Sequence, residues 1–275
     1  MLQQEQLTQK NQAISETVKL KAFRVGLFFY RQIKAQLEKV QVMLRWFPHR
    51  NYIPAPHDIH MIPTDQLEML TNFKTSYCTH IKDRNFVMQK NRGKILNGDW
   101  DITDHFFNDL AVAKAIRERV ELNRPWDHTY FFKESMAEIQ KGRRLWKCRN
   151  ETDFRARLKF VDQIIEDMQL NGYKTGFESC VQGEDPDKIS NRKGSSDEIT
   201  INIGRDGSFL FQDGRHRLAI AKSLHIKKIP VKILVRHQEW VNFLMKDDFE
   251  NLDGEVLFHP DVLYRKKILN SENDS

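Results

Sequence analysis

The stretch FLFQDGRHRLAIAKSLHIKKIP, residues 209–230, places three anion-binding side chains, Arg215, His216 and Arg217, directly after an Asp213-Gly214 pair. Asp-Gly supplies a sharp turn, here from a strand into a helix. The start of a helix offers backbone N–H groups without intrahelical partners and the positive end of the helix dipole. A cation there is unfavourable unless an anion joins it, so Arg215 and Arg217 point to a phosphate or a carboxylate. At 3.6 residues per turn Arg215 shares a stripe with Ala219 and Lys222, which offers a second cation to the same site. Arg217 sits above Ala221 and Leu224 on the face that meets a sheet. The competing reading leaves Arg215 and Lys222 solvated and pairs Arg217 with Asp213 or another internal acid.

Phosphate chemistry also calls for a divalent metal and a group that orients the attacking oxygen. GDWD offers Asp99 and Asp101 on either side of Trp100, two carboxylates suited to Mg²⁺ or to base chemistry. PWDHT offers Asp127 and His128 beside Trp126, whose ring could stack on a base or sugar. Helix capping and packing account for such residues equally well. KGRRLWKCR, with Lys141, Arg143, Arg144, Lys147 and Arg149 around Trp146, is a second basic patch, either a binding surface or a solvated face. RHQEW (Arg236, His237, Glu239, Trp240) falls just past a core strand, near where a pocket should open, and His259 reads as a turn residue. HExxH, GxSxG and Cys-His arrangements are absent, so metalloprotease and covalent hydrolase chemistries lack support.

The elements that must position these groups are clearest around the first motif. EITINI alternates Ile199, Ile201 and Ile203 against Thr200 and Asn202, GRDG turns the chain, and SFLFQ returns, which predicts a β-hairpin. GRHRLAIAKSL follows as a helix, KKIPVKILV as a strand and QEWVNFLMKDDF as a helix; this order indicates an α+β or α/β domain. TDFRARLKFVDQIIEDMQL carries Leu158, Val161, Ile164, Ile165 and Met168 at helical spacing, with Thr152 or Asp153 as N-cap and Asn171 or Gly172 as the left-handed C-cap. DIHMIPTDQLEML reads as a strand and then a helix capped near Thr64 or Asp65, residues 72–149 as short helices and loops, GEDPDKISNRKGSS as a polar loop, and LNSENDS as a disordered tail.

At 275 residues the chain can bury a sizeable core without disulfides or metal. Cys78, Cys148 and Cys180 lack metal-ligand spacing and fit a reducing, cytoplasmic setting. The N-terminus lacks the pattern of a secretory signal, and no apolar run is long enough to span a bilayer. Val18, Ala22, Val25, Phe29, Ile33, Leu37, Val40 and Leu44 form a helical stripe. Between residues 19 and 50 lie eight Lys or Arg (Lys19, Lys21, Arg24, Arg31, Lys34, Lys39, Arg45, Arg50) against one acid, Glu38. Such a helix docks on the protein body or lies on an anionic membrane surface, with nucleic acid a lesser alternative.

FLFQDGRHRLAIAKSLHIKKIPVKIL resembles the signature of the ParB/sulfiredoxin-like superfamily: a strand, a D-G-x-H-R turn, an Ala-containing helix, and a strand beginning near I-P-V. VDQIIEDMQLNGYKT looks like the helix-Gly segment before that core, and IHMIPTDQLEML is similar to its opening strand and helix. The resemblance is good over about residues 154–236. It implies an α+β fold, a small mixed sheet with packed helices, at residues 151–265. The residues themselves place a basic amphipathic helix (1–52) and a helical, Trp-rich region (53–150), inserted in or covering the core, before it and a disordered tail (266–275) after it. It also implies a site for ATP, CTP or ADP with Mg²⁺, in which Gly214, His216 and Arg217 contact phosphate and Asp213 shapes the turn or assists the metal. Arg215 stands where the sulfiredoxins carry their catalytic cysteine, so sulfinic-acid repair has no nucleophile. The residues after Val235 hold no convincing helix pair for a major groove. A relative that phosphorylates free serine makes phosphoryl transfer to a small-molecule or glycan-type hydroxyl, or nucleotide hydrolysis, the expected chemistry. Asp213, His216, Asp99 and Asp101 are then the catalytic candidates, and Gly214, Arg215, His216, Arg217, Lys222 and Trp126 would hold the nucleotide. The alternative is a nucleotide-gated binding module without catalysis.

Overall fold

The structure, a computed structural model, describes residues 30, 32–34, 36–71, 91–146, 148–175, 198–247, 249 and 254–273. The chain divides into two units, Met1–Phe47 and Pro48–Ser275. In the first, residues 32–34 and 36–46 (the latter α1) are helical, as the stripe predicts. Ile33, Leu37, Val40 and Leu44 are 55–67% exposed. Val18, Ala22, Val25 and Phe29 lie outside the described residues, as do Cys78, Cys180, Lys147 and the GEDPDKISNRKGSS loop.

The second unit is mixed α and β. Its strands are β1 (His60–Pro63), β2 (Met69–Leu70), β3 (Ile95–Leu96), β4 (Ile199–Ile203), β5 (Phe209–Asp213) and β6 (Lys228–His237). Its helices are α2 (Ala111–Glu121), α3 (Tyr130–Gln140), α4 (Glu151–Asn171), α5 (Arg215–Ser223), α6 (Gln238–Leu244) and α7 (Pro260–Asn273). The sheet runs β1-β6-β4-β5-β2, with β3 also on β6. It is mixed: β4 pairs antiparallel with β5 and parallel with β6, β1 is antiparallel to β6, and β2 is parallel to β5. Residues 53–150 thus supply three of the six strands.

The expected hairpin forms, β4 to β5, around GRDG. Gly207 is left-handed at φ +85°, and a Cβ there would meet the Trp240 ring at 2.7 Å. All five β4 residues are buried, so Thr200 and Asn202 face protein, not water. The α4 helix ends on Gly172 at φ +72°, as expected, but its N-cap is Asn150, which accepts the Asp153 N–H at 2.8 Å.

Two expectations fail. Residues 64–70 do not form a helix: the chain makes a turn, Leu67 N–H donating to Thr64 O, and then β2 pairs with β5. A parallel edge on Leu210 and Phe211 outweighs the weak local helix signal. The segment assigned to a disordered tail is helical through Asn273, because α7 is anchored at its start by buried Asp261, Val262 and Arg265. No helix among the described residues is long and apolar enough to cross a membrane.

Candidate functional site

β5 ends at Asp213 and α5 begins at Arg215, so the reversal falls on Gly214. Gly214 is left-handed at φ +96°, and a Cβ there would lie 3.0 Å from Cα and Cγ1 of Ile199. Glycine alone meets both demands. Asp213 Oδ1 accepts the Gly214 N–H at 2.8 Å, which ties the turn. Gly214, at the N-cap, has no side chain to cap α5, and the first N–H groups of a helix have no intrahelical partner.

His216 lies edge-on to Trp146, ring centroids 4.6 Å apart, and the Arg215 guanidinium sits 5.7 Å from the same ring. Trp146 packs on Phe131 and Phe154, which fixes the α3–α4 connection beside α5. Burial, with the fields of Arg215 and Arg157, pushes the His216 pKa down to about 3, so the imidazole is neutral at physiological pH. Its Nε2 is buried and has no hydrogen-bond partner among the described residues. Arg217 turns the other way and approaches Glu198, a buried carboxylate at the start of β4, to 3.8 Å. That is the internal-acid pairing anticipated as the competing reading, with Glu198 in place of Asp213.

From Glu198 a buried polar strip runs across one face of the sheet. Thr200 pairs with Lys232 in the β4–β6 ladder. Burial lowers the Lys232 pKa, Arg92 lowers it further, and Glu198 opposes. Asn202 Nδ2 donates to Thr71 Oγ1 at 2.7 Å and to Gln212 Oε1 at 2.9 Å, while its own Oδ1 has no partner among the described residues. A buried amide, amine and carboxylate on a central sheet face are costly unless they serve one another or a ligand.

Other expected residues go elsewhere. Asp99 and Asp101 both hold Arg205 on the β4–β5 turn: Asp101 Oδ2 accepts its N–H and Nε–H at 2.8 and 3.0 Å, and its Nη2 donates to Asp99 Oδ1 at 2.9 Å. Burial would raise the Asp101 pKa, but Arg205 holds it below the usual carboxylate range. These carboxylates clamp the turn at the opposite end of the hairpin from Gly214, about 15 Å away across the strands. Among the described residues no group of three His, Cys, Asp or Glu could hold a metal ion.

Lys222 is about 10 Å along α5 from Arg215. It lines a cavity of about 600 Å³ between α2 and the far end of α5, with Asp65, Ala113, Arg117 and Ser223. The second cation acting on His216 is Arg157 of α4 instead. Trp126 donates its indole N–H to Asp162 at 3.0 Å, and Thr129 caps α3, so PWDHT serves packing and capping. RHQEW is taken up by the fold. Arg236 and His237 belong to β6, and Arg236 forms a buried two-point ion pair with Asp261 at 2.8 and 2.7 Å that Trp240 joins at 3.0 Å. His259 accepts the Asp261 N–H at 3.1 Å at the start of α7.

Comparison of the chain with protein-family models, with curated proteins and with solved structures found no match in any of the three. Sequence reasoning missed Arg157, Glu198 and Lys232 as members of this region and read Trp146 only as part of a basic patch. Lys232 leaves one signal, a lone lysine amid the apolar residues of a strand. Glu198 and Arg157 leave none.

Proposed function

We propose that the chain is a nucleotide-binding protein with a ParB/sulfiredoxin-like core, taking the phosphates of ATP, CTP or ADP, with Mg²⁺ carried by the nucleotide, at the start of α5. What supports this reading is one arrangement: the left-handed Gly214 delivers uncapped helix N–H groups together with Arg215, His216 and Arg217, while Arg157 and Trp146 stand alongside. Backbone donors, guanidinium forks and a neutral imidazole with a buried nitrogen suit phosphate oxygens. The proposed chemistry is transfer of a phosphoryl group to a hydroxyl acceptor, or hydrolysis. Asp213 and Glu198 are the carboxylates at this end of the sheet, and Asp99 and Asp101 are not offered as its ligands.

Calorimetry with ATP, CTP and ADP in the presence of Mg²⁺ tests the reading. The expected result is saturable binding to the wild type that Arg215→Ala weakens about 10- to 100-fold, as loss of a charge-assisted hydrogen bond should. An absence of binding to folded wild type overturns it. Labelled γ-phosphate separates transfer from binding alone, the second reading, which the exposed apolar stripe of α1 with its basic flanks favours.

A further inference from the structure

We propose that the helix bearing Ile33, Leu37, Val40 and Leu44 lies on an anionic lipid bilayer, its apolar stripe inserted and its cations on the headgroups. These side chains follow one another at spacings of four, three and four, which gathers them within about 60° of arc. All four are exposed, as are Tyr30, Met43 and Phe47. Lys39, Val40, Met43, Leu44 and Phe47 form a shallow apolar groove of about 280 Å³ with Gln36. A helix this exposed on its apolar side leaves that face to a partner.

The charges name the partner. At the same pitch Lys34 and Arg45 flank one side of the stripe and Lys39 the other, with the amides of Gln36 and Gln41 at its edges. The wider segment from residue 19 to 50 holds eight Lys or Arg against Glu38 alone. Apolar insertion with cations on both flanks is the pattern of a helix lying in the headgroup plane of an anionic membrane. Among the described residues no helix could span it. The rival occupant is a second copy, because the spacing from Ile33 through Phe47 also makes a heptad seam. Three cations against Glu38 leave the flanks net positive, which repels such a copy and attracts lipid.

Flotation of the full chain with vesicles of phosphatidylcholine, with and without phosphatidylserine, tests this. The expected result is flotation with the anionic vesicles, weak flotation with the neutral ones, and release on raising the salt. Lys34→Gln with Lys39→Gln and Arg45→Gln should lower partitioning about fivefold per charge removed, about 100-fold in all. Leu37→Asp with Leu44→Asp should abolish it. Apart from Arg45, which is half-buried, these positions are exposed, so far-UV circular dichroism should be unchanged. Equal flotation with both vesicle types, or none, overturns the proposal. A lipid-free dimer in sedimentation that Leu37→Asp with Leu44→Asp dissolves assigns the stripe to a second copy and overturns it too.

Discussion

The two ends of the β4–β5 hairpin are built from the same residue types and used in opposite ways. At the GRDG end, charge meets charge: Arg205 is held by Asp99 and Asp101, Arg236 by Asp261, and Asp261 again by Trp240. At the Gly214 end, Arg157 and Arg215 lie beside a neutral histidine, while Arg217 approaches the buried carboxylate of Glu198 at 3.8 Å. The first end is a structural lock. The second has the composition of a place for an anion, and the difference teaches that charge counts along the chain say little until partners are assigned.

Substitutions should separate the two ends. The largest effect belongs to the lock. Asp261→Ala leaves Arg236 buried without its carboxylate, at 3% side-chain exposure, and should cost about 3–5 kcal/mol in denaturant unfolding. Nucleotide affinity of the folded fraction should not change.

Acid comes next, because each end buries a histidine that its surroundings keep neutral. Burial is the first cause in both: His216 is pushed down to about 3 and His259 to about 4, from 6.5. Neither takes a proton in the fold near neutrality, but the unfolded chain does so below about 6.5. Stability should therefore be unaffected by these groups above that pH and fall as pH drops from 6.5 toward 4, by about 1.4 kcal/mol per pH unit for each histidine. Urea unfolding measured across that range, with His216→Asn and His259→Asn, apportions the slope. Saturating nucleotide should flatten the His216 share alone, since an anion favours the protonated ring. Asp261, held near 2 against its burial by Arg236, belongs to a separate, lower window: its contribution is retained above about 4 and lost as pH falls through 2.

Gly214→Ala should cost about 1–3 kcal/mol through its positive φ, with an added clash on Ile199. It should also remove nucleotide binding, which calorimetry reads directly. The smallest effect is expected at Asp99, whose side chain is 81% exposed. Asp99→Ala should change stability by less than about 0.5 kcal/mol and leave nucleotide turnover intact. A loss of turnover there would make the GRDG end catalytic and break the comparison.

The features legible in advance were those written in neighbouring residues. Alternation in EITINI and SFLFQ with GRDG between them predicts the hairpin, and Asp213-Gly214 marks the start of α5. Gly172 ends α4 as its position suggests. Where the reading failed, residues far apart decided the matter. GDWD looks like a metal pair until Arg205, 104 residues from Asp101, claims both carboxylates. Lys222 shares a helical stripe with Arg215, yet two turns of rise carry it to a cavity against α2. TDQLEML has helical spacing, but the edge of β5 draws Met69 and Leu70 into the sheet.

By itself the sequence determined the period of β4, β5, β6, α4 and α5, the glycine turns and the apolar stripe of α1 with its basic flanks, because these depend on torsions and spacings within a few residues. Which cations are locked and which gather at Gly214 was decided only by tertiary structure. An ion pair forms where the fold brings charges within a few ångströms, and burial then sets what each pairing is worth. Glu198 and Arg217, Arg205 and Asp101, and Trp146 and His216 are partners that no local pattern names.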